Sequence, residues 1–169
     1  MSLETKKVKK KNGGGKRKAF SRFSLSQITE KIMPPHPGAS HGYHAFSLFT
    51  EQDIYLYKEG SHFRLYDKLG SHVTARHGVP GTYFAVMAPS ACRVYVMGDF
   101  NGWNKQSHPL AVRWDGSGIW EGFVPGVGKG AVYKFFIESG QNDYRVDKRD
   151  PFAFYCEVPP RSGSIVWDL

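Results

Sequence analysis

The sequence predicts an all-β chain: an immunoglobulin-like antiparallel β-sandwich preceded by short helices and a disordered basic N-terminal tail. Three observations carry that expectation. From Gly81 onward apolar and polar residues alternate with period two, in seven short runs at roughly 8–12 residue spacing. The breaks between runs carry turn chemistry, at Asn101-Gly102, Asp115-Gly116, Pro125-Gly126, Gly128 to Gly130 and Ser139-Gly140. Aromatic residues make up 15% of the 169, with 12 Phe, 9 Tyr and 4 Trp, which is enough to bury a core. The length suits one domain plus a tail and falls short of a (β/α)₈ barrel, which takes about 250 residues.

The elements follow in chain order. Residues 1–18 hold seven Lys, Arg17 and Glu4, a net charge of +7 out of +8 for the whole chain. This is a solvated basic tail with a hinge at Asn12-Gly13-Gly14-Gly15. Residues 19–49 read as a linker with one short amphipathic helix at Ser26–Ile32, stopped by Pro34-Pro35. Residues 50–169 form the sandwich module with a helical lead-in in two pieces. Thr50 caps the first piece and Asp53 stands at the third position after it, as in a capping box; Gly60 ends it. His62 to Leu69 is the second piece, closed by Gly70. The strand candidates are 82–87, 93–97, 110–114, 119–124, 131–137, 144–146 and 164–167. Trp114, Trp120 and Trp167 fall within alternating runs and are expected in the core.

Composition excludes several functions. No run of 18 apolar residues exists, so no membrane helix is expected, and the basic start lacks an apolar stretch behind it. Two cysteines, Cys92 and Cys156, suit free thiols and a cytoplasmic location. Beyond the tail the chain carries a net charge of only +1, and no aromatics interleave with the tail lysines, so nucleic acid is not an expected partner. His36, His41 and His44 lack Cys or carboxylate neighbours, so they read as loop histidines; no metal or cofactor is expected. No nucleophile motif, phosphate loop or zinc signature appears, and no catalytic residue is assigned.

Binding chemistry is better represented. Gly98-Asp-Phe-Asn-Gly-Trp103-Asn places an indole on a polar turn. Leaving an indole in water forgoes on the order of 2 kcal/mol of burial free energy. The apolar C–H face of a pyranose ring can lie on such an indole while its hydroxyls bond to polar groups at the rim. Trp103 is the candidate platform, with Asn101 at the rim. Lys134, in Val-Tyr-Lys-Phe-Phe, points to the strand face opposite Tyr133 and Phe135.

The chain also resembles a known family. Asp53-Ile-Tyr-Leu-Tyr-Lys-Glu-Gly60, Phe63-Arg-Leu-Tyr-Asp-Lys-Leu-Gly70, Gly78 to Pro89, Val96-Met-Gly-Asp-Phe-Asn-Gly-Trp103, Asp150-Pro-Phe-Ala-Phe and Pro159 to Asp168 are similar to the amino-terminal part of bacterial 1,4-α-glucan branching enzymes of glycogen biosynthesis. The resemblance runs from about residue 48 to the end. It implies a β-sandwich of carbohydrate-binding module family 48, with α-glucan polysaccharide as ligand and an α-amylase-type catalytic barrel as partner in the parent enzyme. The family's catalytic residues lie in that barrel, so no branching activity is expected of this chain alone. The alternative implication is an interdomain scaffold that orients the barrel without binding glucan. A similar module in the β subunit of AMP-activated protein kinase contacts glucose through a Trp and a Lys, in motifs matching Phe100-Asn-Gly-Trp103 and Tyr133-Lys-Phe-Phe136. Those roles carry to Trp103 and Lys134. The kinase module's second Trp has no counterpart in Glu138-Ser-Gly-Gln-Asn-Asp-Tyr144, where Tyr144 is the candidate replacement.

Overall fold

A computed structural model describes residues 46–140 and 143–169. The basic tail, the expected helix at 26–32 and His36, His41 and His44 lie outside the described residues. One α-helix and nine strands are described, two strands more than the seven expected. Helix α1 spans Glu51–Lys58. The strands are β1 (Gly70–Arg76), β2 (Val79–Met87), β3 (Ala91–Gly98), β4 (Ala111–Val112), β5 (Ile119–Pro125), β6 (Val132–Ser139), β7 (Arg145–Lys148), β8 (Tyr155–Cys156) and β9 (Ser164–Ile165). They form two antiparallel sheets. The first, sheet A, has the order β1-β2-β5-β4. The second, sheet B, has the order β3-β6-β9-β8, with β7 also paired to β6. The sandwich expected from the period-two pattern is therefore the observed architecture.

Helix α1 begins as the residues dictate. Thr50 Oγ1 accepts from the Asp53 N–H at 3.2 Å, and Asp53 Oδ2 accepts from the Thr50 N–H at 2.8 Å, closing a capping box. The expected second helical piece is only a 3₁₀ turn at Leu65–Asp67. Its ends are pulled elsewhere: His62 Nε2 meets Asp53 at 3.0 Å, Lys68 Nζ bonds to the Leu48 carbonyl at 2.9 Å, and Leu69 is buried. Asp53 is thus the hub of the lead-in. Burial opposes its ionisation, but hydrogen bonds from Thr50 and His62, with Lys68 nearby, outweigh that and hold its carboxyl well below the usual range.

Alternation along β2 explains the layering. Phe84 and Val86 enter the inter-sheet core with Trp120 and Val124 from β5 and with Val94, Val96, Tyr133 and Phe135 from sheet B. Tyr83 and Ala85 point the other way, into a second cluster with Phe49, Ile54, Leu69 and Ile119. The outer face of sheet A is therefore roofed. Phe46 sets its ring edge-on against Tyr83 and Phe123, at centroid distances of 5.9 and 5.7 Å. Phe46 to Phe49, at the end of the expected linker, are part of this roof.

A half-buried polar knot fastens the roof. Arg113 donates to Asp115 at 2.8 Å, to Glu121 at 2.9 Å and to Ser47 at 2.6 Å. Glu121 also accepts from Ser47 at 2.8 Å and from the Tyr83 hydroxyl at 2.5 Å. Burial, then the adjacent Glu121 charge, pushes the Tyr83 phenol up. No helix among the described residues is long and apolar enough to cross a membrane.

Candidate functional site

Among the described residues no such layer covers the outer face of sheet B, and Trp103 and Lys134 are carried by the ends of its strands β3 and β6. Strand β3 ends at Gly98, which pairs with Tyr133, while Met97 pairs with Lys134. A Cβ on Gly98 would run into the Val132 carbonyl and the Phe100 ring, so only glycine lets the chain turn this close to β6. The turn is then tied at both ends. Asp99 accepts from the Val132 N–H at 3.1 Å, and the Trp103 N–H donates to the Gly98 carbonyl at 2.8 Å.

Asn101 holds this turn together. Its Oδ1 accepts from the Gly98 N–H at 3.0 Å. Its Nδ2 lies 3.2 Å from the Val96 carbonyl, 2.9 Å from Ser107 Oγ and 3.0 Å from His108 Nδ1. Both ends of its amide are thus engaged inside the chain, and burial pushes the His108 imidazole below its ordinary value.

Gly102 and Trp103 are both left-handed, with φ of 61° and 60°. Tryptophan in that region is strained, by about 1–2 kcal/mol for a residue with a Cβ. The strained geometry carries the indole onto the surface, where it is 41% exposed.

Lys134 projects from the solvent face of β6, one residue along the ladder from the Gly98–Tyr133 pair that anchors the Trp103 turn. Its Nζ donates to Ser162 Oγ at 2.8 Å, and Arg149 Nε reaches the Ser162 carbonyl at 3.5 Å. Sequence reasoning passed over Arg149 and this use of Ser162. The signal available was the ladder itself, which brings the two ends of a hairpin opposite each other. Beside them Phe136 is shielded by Lys105, whose Nζ sits 4.8 Å from the ring centroid while bonding Asp147 at 2.8 Å.

Tyr144 is exposed but lies apart from this cluster. It follows the β6–β7 turn, with its carbonyl accepting from Ser139 at 2.8 Å. Ser139 lies five residues beyond Lys134, roughly 17 Å along the strand. The structure therefore brings together Trp103, Asn101 and Lys134, and sets Tyr144 at the far end of the hairpin.

Two of the three tryptophans expected in the core are corrected. Trp120 is buried and donates its indole N–H to the Ala88 carbonyl at 3.0 Å. Trp114 is 88% exposed, because β4 ends at Val112 and the Arg113 N–H closes back onto the Ile119 carbonyl, leaving Trp114 on the turn. Trp167 lies on the surface with its ring 5.2 Å from that of Tyr155 and the Lys129 ammonium 4.1 Å above it. The ladder stops at Ile165, two residues short of the expected strand end.

Residues 68–153, just over half the chain, match the family described as Carbohydrate-binding module 48 (Isoamylase N-terminal domain). The chain belongs to the carbohydrate-binding module 48 family. It is 56% identical over 124 residues to the 1,4-alpha-glucan branching enzyme GlgB of Aquifex aeolicus, covering 73% of this chain and 19% of that relative. Against the GlgB of Myxococcus xanthus the identity is 53% over 119 residues, covering 70% of this chain and 16% of the relative. The chain thus spans less than a fifth of the length of these curated relatives. Among solved structures, a pullulanase from Klebsiella pneumoniae aligns at 24% identity and a TM-score of 0.47, over 60% of this chain and 10% of its own. The resemblance read from the motifs and the family match agree.

Proposed function

We propose that this module holds an α-glucan strand on the open face of sheet B, with Trp103 as the stacking platform and Lys134 as a hydrogen-bond donor beside it. The observation that supports this reading is the Trp103 turn. A tightly bonded loop, pinned by Asn101 and Gly98, carries a half-exposed indole on a left-handed backbone, and its anchor Gly98 pairs with Tyr133, the strand neighbour of Lys134. A sugar ring offers an apolar face for the indole and hydroxyls for the lysine, and Asn101 fixes the turn that presents the indole. Tyr144 would meet only a longer chain, one extending along β6.

One platform with a few solvated hydrogen bonds suits weak binding, roughly millimolar to tens of micromolar, which a polymer with many sites raises by avidity. The role is to raise the local concentration of glucan for a catalytic domain of the α-amylase type in the same enzyme. The setting we infer is a reducing, cytoplasmic one, in keeping with free thiols at Cys92 and Cys156.

Affinity electrophoresis in native gels containing glycogen tests the reading. The wild-type chain should be retarded in proportion to polymer concentration. Trp103→Ala should migrate as if no polymer were present, and Lys134→Ala should lose part of the retardation. Equal retardation of wild type and Trp103→Ala would place the binding elsewhere.

A further inference from the structure

The cations of the open face are not all balanced. Arg93 and Arg145 both lean on Glu138, at 3.4 and 3.5 Å. Lys105 is paired with Asp147 at 2.8 Å, and Arg161 with Glu157 at 3.8 Å. Lys134 and Arg149 differ. The β6–β7 ladder ends at the Phe135–Lys148 pair and β9 takes over β6 at Tyr133–Ser164, so Lys134 and Arg149 flank that changeover and meet at Ser162. The neighbour they share among the described residues is neutral: Lys134 Nζ bonds to Ser162 Oγ and Arg149 Nε to the Ser162 carbonyl.

Two cations gathered on one neutral residue repel each other. Neither cation has a carboxylate partner among the described residues. The acids nearby are already engaged. Asp147 gives both oxygens to Lys105, Glu157 accepts from the Gly163 N–H at 2.9 Å, Asp99 from the Val132 N–H, and Asp150 turns inward to the Tyr133 hydroxyl. The guanidinium of Arg149 is exposed and makes no other contact among the described residues. A neutral sugar hydroxyl does not call for two adjacent cations. A dianion does, with Lys134 as a point charge and Arg149 as a two-pronged donor.

We propose that the Lys134–Arg149 pair receives a phosphate monoester carried on an α-glucan, so that the module favours phosphorylated over neutral chains. The proposal rests on the glucan reading above: a sugar ring stacked on Trp103 places its substituents beside the start of β6, where the pair stands. A phosphomonoester carries about −1.5 to −2 charges at neutral pH and supplies the counter-charge the pair lacks.

The test compares a phosphorylated amylopectin with the same polymer after phosphatase treatment, in native gels at low and raised salt, using the full chain. The wild type should be retained about threefold to tenfold more strongly by the phosphorylated polymer, the range for one or two exposed charge-assisted contacts. Raised salt should shrink that ratio towards one. Arg149→Gln should bring the ratio to about one at low salt as well. A ratio of one in the wild type, with retention on both polymers, overturns the phosphate proposal and leaves the glucan reading intact. A ratio that survives Arg149→Gln also overturns it, since the selectivity then comes from other cations such as the lysines of residues 1–18. No retention on either polymer overturns the glucan reading itself.

Discussion

The two outer faces of this sandwich are built from similar alternating strands and finished in opposite ways. On sheet A, Phe46, Phe49, α1 and Leu69 form a second hydrophobic layer, locked by the knot of Arg113, Asp115, Glu121, Ser47 and Tyr83. On sheet B, Phe136 is flanked by the Tyr95 ring at 6.1 Å and has the Lys105 ammonium 4.8 Å from its ring centroid. A layer made of helix and chain must unfold to open, whereas an exposed side chain such as Lys105 only has to swing aside. The difference teaches where to look for a ligand. Stability is invested in the covered face of sheet A, whereas the exposed Trp103 turn and the cations without a carboxylate, Lys134 and Arg149, belong to sheet B and its connections.

The comparison is broken most severely by removing the roof. Phe49 is 7% exposed and packs under the Arg113 guanidinium, whose centre is 5.5 Å from its ring. Phe49→Ala should destabilise the fold by about 3–5 kcal/mol, the usual cost of emptying a buried Phe site. Urea denaturation followed by tryptophan fluorescence measures it; a loss under about 1 kcal/mol would mean the roof is an appendage rather than a layer. Arg113→Met should cost about 3 kcal/mol by stranding Glu121 and Asp115 in a place where both are largely buried. Adding Glu121→Gln to that variant should recover part of the loss, which a double-mutant cycle reads directly.

A pH titration sharpens the comparison, because the lead-in and the seam between the sheets respond with opposite signs. Asp150 is buried, accepting from the Tyr133 hydroxyl and, at 2.8 Å, from the Phe152 N–H. Burial outweighs those bonds and pushes its carboxyl up to about 6. The folded state then holds this proton more tightly than the unfolded chain does. Stability should therefore be greatest below the ordinary carboxylate range and fall as pH rises through about 4 to 6, by roughly 3 kcal/mol in all, and not change further above that. Asp53, held below its ordinary value, works the other way: its contribution is present above the ordinary range and disappears as pH drops beneath it. Urea midpoints at a series of pH values should fall across the 4–6 window in the wild type and stay level there in Asp150→Asn. A level wild-type curve would contradict the assignment.

How far the sequence foretells this arrangement depends on which force decides each segment. Strands β2, β3, β5 and β6 are legible because burial on one or both faces imposes their apolar pattern. Strand β1 is not: Gly70-Ser-His-Val-Thr-Ala-Arg76 is an edge strand whose outer half is exposed, so its pairing with β2 and not its side chains specifies it. The short helix that failed over 62–69 was outbid by tertiary bonds from His62 and Lys68. Trp114 was unreadable for a related reason, since alternation continues through the turn although the ladder has ended. The Trp103 turn is legible from residue type alone, because Asn-Gly and a neighbouring indole have few other uses. The Lys134–Ser162–Arg149 grouping is not, because it joins three stretches that meet only once the sheet is formed.

The smallest predicted effect separates function from stability at one residue. Trp103 occupies a left-handed backbone position and leaves much of its ring in water, so the fold gains little from it and is strained by its backbone. Alanine removes the indole and keeps the strained backbone, while glycine removes both. Trp103→Gly should therefore be more stable than Trp103→Ala by about 1 kcal/mol, less whatever glycine adds to the entropy of the unfolded chain. Neither variant should be retained by glycogen. Thermal unfolding of the two, run beside the same native gels, decides between two explanations of the strain. If glycine is the more stable and both lose retention, the indole is kept in an unfavourable geometry for what it binds. If glycine is clearly the less stable, the left-handed turn is comfortable for a side chain, and the strain ceases to be an argument for the site.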